Sequence, residues 1–204
     1  SYVGGLFVFE SKLTQEFRLH FDEKIAEMFQ SIGIREGSVW IEVFHDGENY
    51  YFNEVGFRYG GSVSIYPVDY FYQINQVAAD IHYALTGESC ISEHTSLIRS
   101  TLPRKKYYCI YPVHINAGTI SSISGLDKIA QLENIVYLAT TKYLHDRIES
   151  SGSFSQVFAL VHFVCNTTEE CIQTIDRIHQ MLVVFDEHGN NMVNRMLDVG
   201  KIIF

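Results

Sequence analysis

Trp40-Ile41-Glu42-Val43-Phe44-His45-Asp46-Gly47-Glu48-Asn49-Tyr50-Tyr51-Phe52-Asn53-Glu54-Val55-Gly56-Phe57-Arg58-Tyr59-Gly60-Gly61 is the stretch on which the reading turns. Residues 39–44 and 50–55 read as two strands, and Asp46-Gly47 between them is a hairpin signal. Two acids, Glu42 and Glu54, lie inside otherwise apolar strand sequence. A lone strand glutamate ordinarily points to solvent, so the question is whether these two share a face. A two-residue turn at Asp46-Gly47 pairs Glu42 with Tyr51 and sends the two acids to opposite faces, because strand side chains alternate. A loop of odd length places them on one face. It also gathers Val39, Ile41, Val43, Tyr51 and Val55 on the other, so the apolar pattern favours convergence of the carboxylates. Two carboxylates on adjacent strands suit a phosphate-bound Mg²⁺, a hard cation that takes oxygen ligands. Arg58 adds a charged fork for a phosphate or carboxylate. Gly60 and Gly61 allow a backbone to approach a ligand closely.

Outward from the hairpin, apolar residues at Phe21, Ile25, Met28, Phe29 and Ile32 have the spacing of one helical face over 21–32, with Asp22 and Glu23 near its start and Gly33 at its stop. A helix over 69–85 is expected after the Gly-rich loop, with Phe71, Ile74, Ala78, Ile81 and Leu85 on one face. The stretch 89–106 lacks a clear period and closes on Arg104-Lys105-Lys106, so a domain boundary is placed there, dividing the chain into 1–95 and 96–204. In the second part, strands are expected over 107–113, 135–141, 156–165 and 182–185. Helices are expected over 126–132 and 168–181, the latter with Thr167 as N-cap, Glu170 completing a capping box, and an apolar stripe of Cys171, Ile175, Ile178 and Leu182. The order β-α-β-β-α-β is that of a ferredoxin-like sandwich. A last helical turn is expected over 190–197. The fold class is thus α+β.

The 204 residues are 47% hydrophobic and 19% charged, which excludes wholesale disorder. No apolar run reaches the roughly 18 residues that a membrane-spanning helix needs, and the opening Ser1-Tyr2-Val3-Gly4-Gly5 is not a secretory signal. Lys and Arg total 15 against 24 Asp and Glu, a net charge of −9. With no basic cluster larger than Arg104-Lys105-Lys106, the chain is a poor candidate for nucleic acid. Cys90, Cys109, Cys165 and Cys171 show no CxxC spacing, which argues against a zinc site, and all four are read as reduced thiols of a cytoplasmic protein. The nine histidines include no HxH or HExxH. Glu93-His94, Ser62 and Ser64 are weaker candidates that nothing selects. A GxSxG elbow and a GxxxxGK[ST] loop are both absent.

Glu42, a short hairpin, and then Glu54-Val55-Gly56-Phe57-Arg58-Tyr59-Gly60-Gly61 resemble the C-terminal lobe of an ATP-grasp enzyme. The approach Ser31-Ile32-Gly33-Ile34 and Gly37-Ser38-Val39 is similar too. Tyr111-Pro112, Gly118-Thr119-Ile120 and Ile123-Ser124-Gly125-Leu126 resemble the C-terminal domain of ATP-grasp amino-acid ligases. The resemblance implies an antiparallel sheet with helices over 1–95, and ATP and Mg²⁺ as cofactors. It further implies that Glu42 and Glu54 are metal ligands, that Arg58 meets the acyl phosphate or the reacting carboxylate, and that Gly60 and Gly61 lie against the ligand. The chain departs from the family at Gly56, where an Asn metal ligand is usual. Asn53 is expected to point to the other face.

Only about 40 residues precede Glu42, too few for the family's N-terminal lobe. The expectation is therefore a fragment of a larger ligase, or one member of a split enzyme, inactive on its own. The parent's substrates would be a small carboxylate and an amine joined through an acyl phosphate. Neither nucleic acid nor membrane is expected as a partner, and a homodimer is left open. Two alternatives are a carbamoyl-phosphate-synthase-like or carboxylase-like protein, and a non-catalytic module that binds a small molecule or dimerises.

Overall fold

The computed structural model describes residues 5–91, 106–195, 197 and 198. The expected boundary at 95/96 lies outside the described residues, as do Glu93-His94, Ser1 to Gly4 and most of the basic triplet. Contacts divide the described residues into two units: 5–14 together with those from 106 onward, and 15–91. The first few residues therefore associate with the second half of the chain, whereas the sequence placed them with the hairpin.

The hairpin unit holds most of α1 (Lys12–Ser31), then β2 (Trp40–His45), β3 (Tyr50–Gly56), α2 (Ile65–Tyr72) and α3 (Gln76–Thr86). Helix α1 starts nine residues earlier than the apolar spacing alone suggests, since Ser11 accepts from the Thr14 amide at its start. Asp22 and Glu23 therefore sit mid-helix. Phe17 and Phe21, one turn apart, pack on Tyr50 and Phe52 of β3, with ring centroids 5.0–5.8 Å apart across the cluster. The single helix expected over 69–85 is two. Gln73 adopts a left-handed backbone that closes α2, and the Asn75 side chain accepts from the Ala78 amide to open α3. Asn competes for backbone hydrogen bonds more readily than it propagates a helix, so a residue that fits the helical period by position acts as a cap.

The other unit contains β1 (Phe7–Phe9), β4 (Tyr107–His114), β5 (Gly118–Ser124), α4 (Leu126–Ala130), β6 (Ile135–Thr140), β7 (Arg147–Ile148), β8 (Val157–Cys165), α5 (Thr168–Met181) and β9 (Val183–Asp186). One antiparallel sheet has the order β1-β4-β8-β6, and a second the order β7-β5-β9. This corrects the ferredoxin-like expectation. The last strand does not join the sheet of β4, β6 and β8 but pairs with β5. Serines at 121, 122 and 124 dilute the apolar pattern of β5, so its period does not announce a strand. Residues 190–195 form no helix; Asn191 and Val193 make isolated bridges instead.

Helix α5 forms where the sequence places it. Thr167 accepts from the Glu170 amide at 3.2 Å, while the Glu170 carboxylate reaches Asn166, one residue before the position a standard capping box would use. Its stripe of Cys171, Ile175, Ile178 and Leu182 is fully buried against Cys109, Phe158, Val161 and Phe163. Core of this kind contributes roughly 1.5–3 kcal/mol per large apolar side chain removed from water. Among the described residues no helix is long and apolar enough to cross a membrane.

Candidate active site

In the hairpin, His45 pairs with Tyr50, Phe44 with Tyr51 and Val43 with Phe52. The connecting loop 46–49 has an even number of residues, and on that register alone Glu42 would face Asn53. A β-bulge intervenes between Glu42 and Val43. Beyond it Glu42 pairs with Glu54, Ile41 with Val55 and Trp40 with Gly56. Directly paired residues share a face, so Glu42 and Glu54 stand opposite each other on one face, through a bulge rather than an odd loop. A bulge sets two residues of one strand against one of the other and re-aims a side chain. Here it also brings Asn53 to Glu42: its Nδ2 donates to Glu42 Oε1 at 2.6 Å. That corrects the expectation that Asn53 points away. The apolar face differs as well, with Tyr50 and Phe52 taking the position expected for Tyr51.

The loop tip is held by Asp46, whose carboxylate accepts from the amides of Glu48 and Asn49 and from the Tyr51 hydroxyl. These donors hold its carboxyl well below the usual range, at about 2.

Arg58 follows β3. Its Nη2 lies 3.3 Å from Glu54 Oε1, and its Nη1 donates to the Tyr59 carbonyl. Both side chains of the pair are about half exposed, so the ion pair orients more than it stabilises. Gly56 explains the posture of Arg58. A side chain at 56 would come within 3.1 Å of Arg58 Nε and 3.3 Å of its Cγ. The glycine therefore clears the space that the arginine occupies.

The two loop glycines differ from each other. A Cβ on Gly60 would collide with the Trp40 ring and Ser64 Oγ, so this glycine is required by internal packing. Gly61 faces open space. The unusual backbone falls on their successors, Ser62 at φ 56° and Val63 at φ 58°. A β-branched residue is a genuine outlier in that region, and no pattern in the sequence marks it.

Asp80 carries no signal in the sequence that marks it as part of the site. Its Oδ2 accepts from the Tyr59 hydroxyl at 2.7 Å and from Ser38 Oγ at 3.1 Å. Donation to this carboxylate raises the Tyr59 pKa above its ordinary value. The network ties the segment carrying Arg58 to α3 and to the loop before β2. Beside it lies a cavity of about 490 Å³ lined by Gly37, Ser38, Phe57, Arg58, Tyr59 and Asp80, among others. Ser38 and Asp80 are 42 residues apart, so no local spacing could have signalled the pair.

No protein-family model matches the sequence, and no curated protein does either. Solved structures do match. An L-amino acid ligase from Bacillus licheniformis superposes with a TM-score of 0.73 at 21% identity, over 92% of this chain and 45% of that one. A phosphoribosylglycinamide synthetase from Anaerococcus prevotii gives 0.71 at 13% identity, over 92% and 48%. This chain has part of the ATP-grasp fold. A third match is the biotin carboxylase domain of the 2-oxoglutarate carboxylase from Hydrogenobacter thermophilus, solved as a dimer with MgADP, ADP and bicarbonate. It gives a TM-score of 0.63 at 14% identity, over 93% and 39%. The chain thus spans less than half the length of each of these ATP-grasp structures.

Proposed function

We propose that the hairpin is the magnesium-binding edge of an ATP-dependent carboxylate–amine ligase, and that the chain is the C-terminal part of that enzyme. The observation that carries this reading is the direct pairing of Glu42 with Glu54, each bonded to a further polar group, Asn53 and Arg58. Like charges directly opposite on a hairpin are destabilising by themselves. The carboxylate and carboxamide oxygens of this cluster form the donor set a hard cation prefers. When bound, Mg²⁺ neutralises charge on the phosphates and on the phosphoryl group in transfer. Glu42 and Glu54 hold the ion. Asn53 fixes the Glu42 carboxylate and stands in for the carboxamide missing at Gly56.

Arg58 stabilises the acyl phosphate formed on the substrate carboxylate, an electrostatic role suited to a guanidinium fork. Asp80, through Tyr59, positions the segment that presents it. Gly61 leaves backbone open beside a ligand, whereas Gly60 serves Trp40. The stronger likeness to the amino-acid ligase than to the carboxylase domain supports ligation over carboxylation. The four free cysteines fit a reducing, cytoplasmic setting.

The metal assignment is tested on this chain with Mn²⁺ as a paramagnetic probe. Selective broadening is expected at the amides of residues 42, 53 and 54. Glu42→Gln and Glu54→Gln should each weaken binding at least about tenfold, or 1.4 kcal/mol. Unchanged affinity in both variants would sink the assignment. The fragment reading has a separate test: ATP turnover by these 204 residues alone, supplied with amino acids, would overturn it.

A further inference from the structure

Three of the four cysteines come together in the core of the other unit. Cys109 lies on β4, Cys165 at the end of β8 and Cys171 in the second turn of α5; none is more than 3% exposed. Cys109 Sγ and Cys165 Sγ are 3.7 Å apart, and all three sulfurs lie within 4.8 Å of one another. No disulfide joins them. From this geometry we propose a three-thiolate site for a soft, thiophilic cation, Cu(I) foremost, unrelated to the hairpin.

The spacing carries the proposal. An ion bonded to sulfurs at about 2.3 Å, with angles between tetrahedral and trigonal, holds those sulfurs about 3.8–4.0 Å apart. The Cys109–Cys165 separation is already within about 0.3 Å of that range, and modest side-chain rotation brings in Cys171. The donor set selects the ion. Thiolate sulfur prefers soft cations and is a poor ligand for Mg²⁺ or Ca²⁺. Among the described residues no fourth Cys, His, Asp or Glu joins the group, which disfavours a closed four-coordinate zinc site and suits an ion content with three ligands.

Access is also provided for. Cys165 borders a solvent-facing cavity of about 400 Å³ that Lys106 and Arg177 help to line. Glu133 and Glu170 line the same cavity, so its charged side chains balance. Cys165 lies two residues before the N-cap of α5, whose dipole favours its thiolate, whereas the neighbouring cysteines and burial push the Cys109 and Cys171 thiols up, so a bound ion must displace their protons. The bound ion would fasten α5 to β4 and β8, three elements that otherwise meet through apolar packing. The CxxC rule misses such a site because its ligands are 56 and 6 residues apart and converge only through the fold.

The test uses the whole chain, reduced and stripped of metal, titrated with Cu(I) held by a chromogenic competitor. The expected result is withdrawal of one equivalent, with a thiolate-to-metal absorption band. Cys90→Ser, which alters the exposed cysteine, should bind equally well. Cys109→Ala, Cys165→Ala and Cys171→Ala should each weaken binding at least about tenfold. Failure of the wild-type chain to withdraw copper would overturn the proposal, as would undiminished binding by Cys171→Ala or loss confined to Cys90→Ser. Should the core variants misfold, X-ray absorption of the wild-type complex decides: three sulfurs at about 2.3 Å support the site, and a shell of nitrogen or oxygen refutes it.

Discussion

Gly60 and Gly61 stand side by side in the sequence, yet they answer to different constraints. The Gly60 Cα abuts Trp40 and Ser64, so an added methyl must displace an indole ring packed under the loop. Gly60→Ala is expected to destabilise the hairpin unit by about 1–3 kcal/mol, the usual cost of overpacking. Gly61→Ala meets open space and no left-handed backbone. It should be neutral or stabilise by up to about 1 kcal/mol, through a less flexible unfolded chain. Urea unfolding of the two variants in parallel checks the contrast. His179 offers a second test at this scale. Burial, and then the nearby Arg195, push its pKa below the ordinary 6.5, and its Nε2 pairs with the buried Tyr111 hydroxyl at 2.6 Å. A lowered folded-state pKa means that the unfolded chain takes up the proton first. The contribution of this histidine is therefore complete above pH 6.5 and is lost as pH falls through the folded value. A ring-proton NMR titration of His179 should give a midpoint below 6.5, and His179→Gln should flatten the fall in melting temperature between pH 7 and 5.

At the scale of the element, the hairpin turn and its bulge are separable devices. The turn rests on Asp46, whose pKa of about 2 reflects three donors around its carboxylate. The stabilisation it contributes is present above the unfolded value near 3.9 and is lost as pH falls toward 2. Asp46→Asn should remove that acid dependence, and amide exchange at residues 48 and 49 should quicken even at neutral pH. Strand alternation and Asp46-Gly47 made this hairpin legible in the sequence, as the 3.6-residue period and Thr167 made α5 legible. The bulge was not legible, because Asn53 carries no composition signal for an extra residue and only the three-dimensional pairing shows the change of register. Asn75 misled for the opposite reason: its position obeys the helical period while its side chain ends the helix. Of the candidate site, Glu42, Glu54 and Arg58 could be read because they lie within 17 residues. Asp80 and Ser38 could not, since tertiary structure alone brings them to Tyr59.

Across the whole molecule, the order of the chain and the order of the fold disagree at the N-terminus. β1 pairs along β4 through Phe7–Ile110, Val8–Cys109 and Phe9–Tyr108, so the first described strand completes a sheet built almost entirely from residues beyond 106. Phe9 adds an edge-to-face contact with Tyr108 at 6.5 Å. Such a strand covers an edge that would otherwise present unpaired amides and carbonyls. Its placement also bears on the sulfur cluster, because Cys109 lies directly opposite Val8. A variant lacking residues 1–9 should therefore lose amide-exchange protection along β4 while the aromatic contacts between α1 and the hairpin persist. The expected loss on β4 is at least about tenfold in protection at Cys109 and Tyr111, or 1.4 kcal/mol of local opening free energy. Exchange at residues 50–55 serves as the internal control. Unchanged protection on β4 would mean that β1 adds nothing to that sheet, and parallel losses in both units would mean that the two do not unfold as separate bodies.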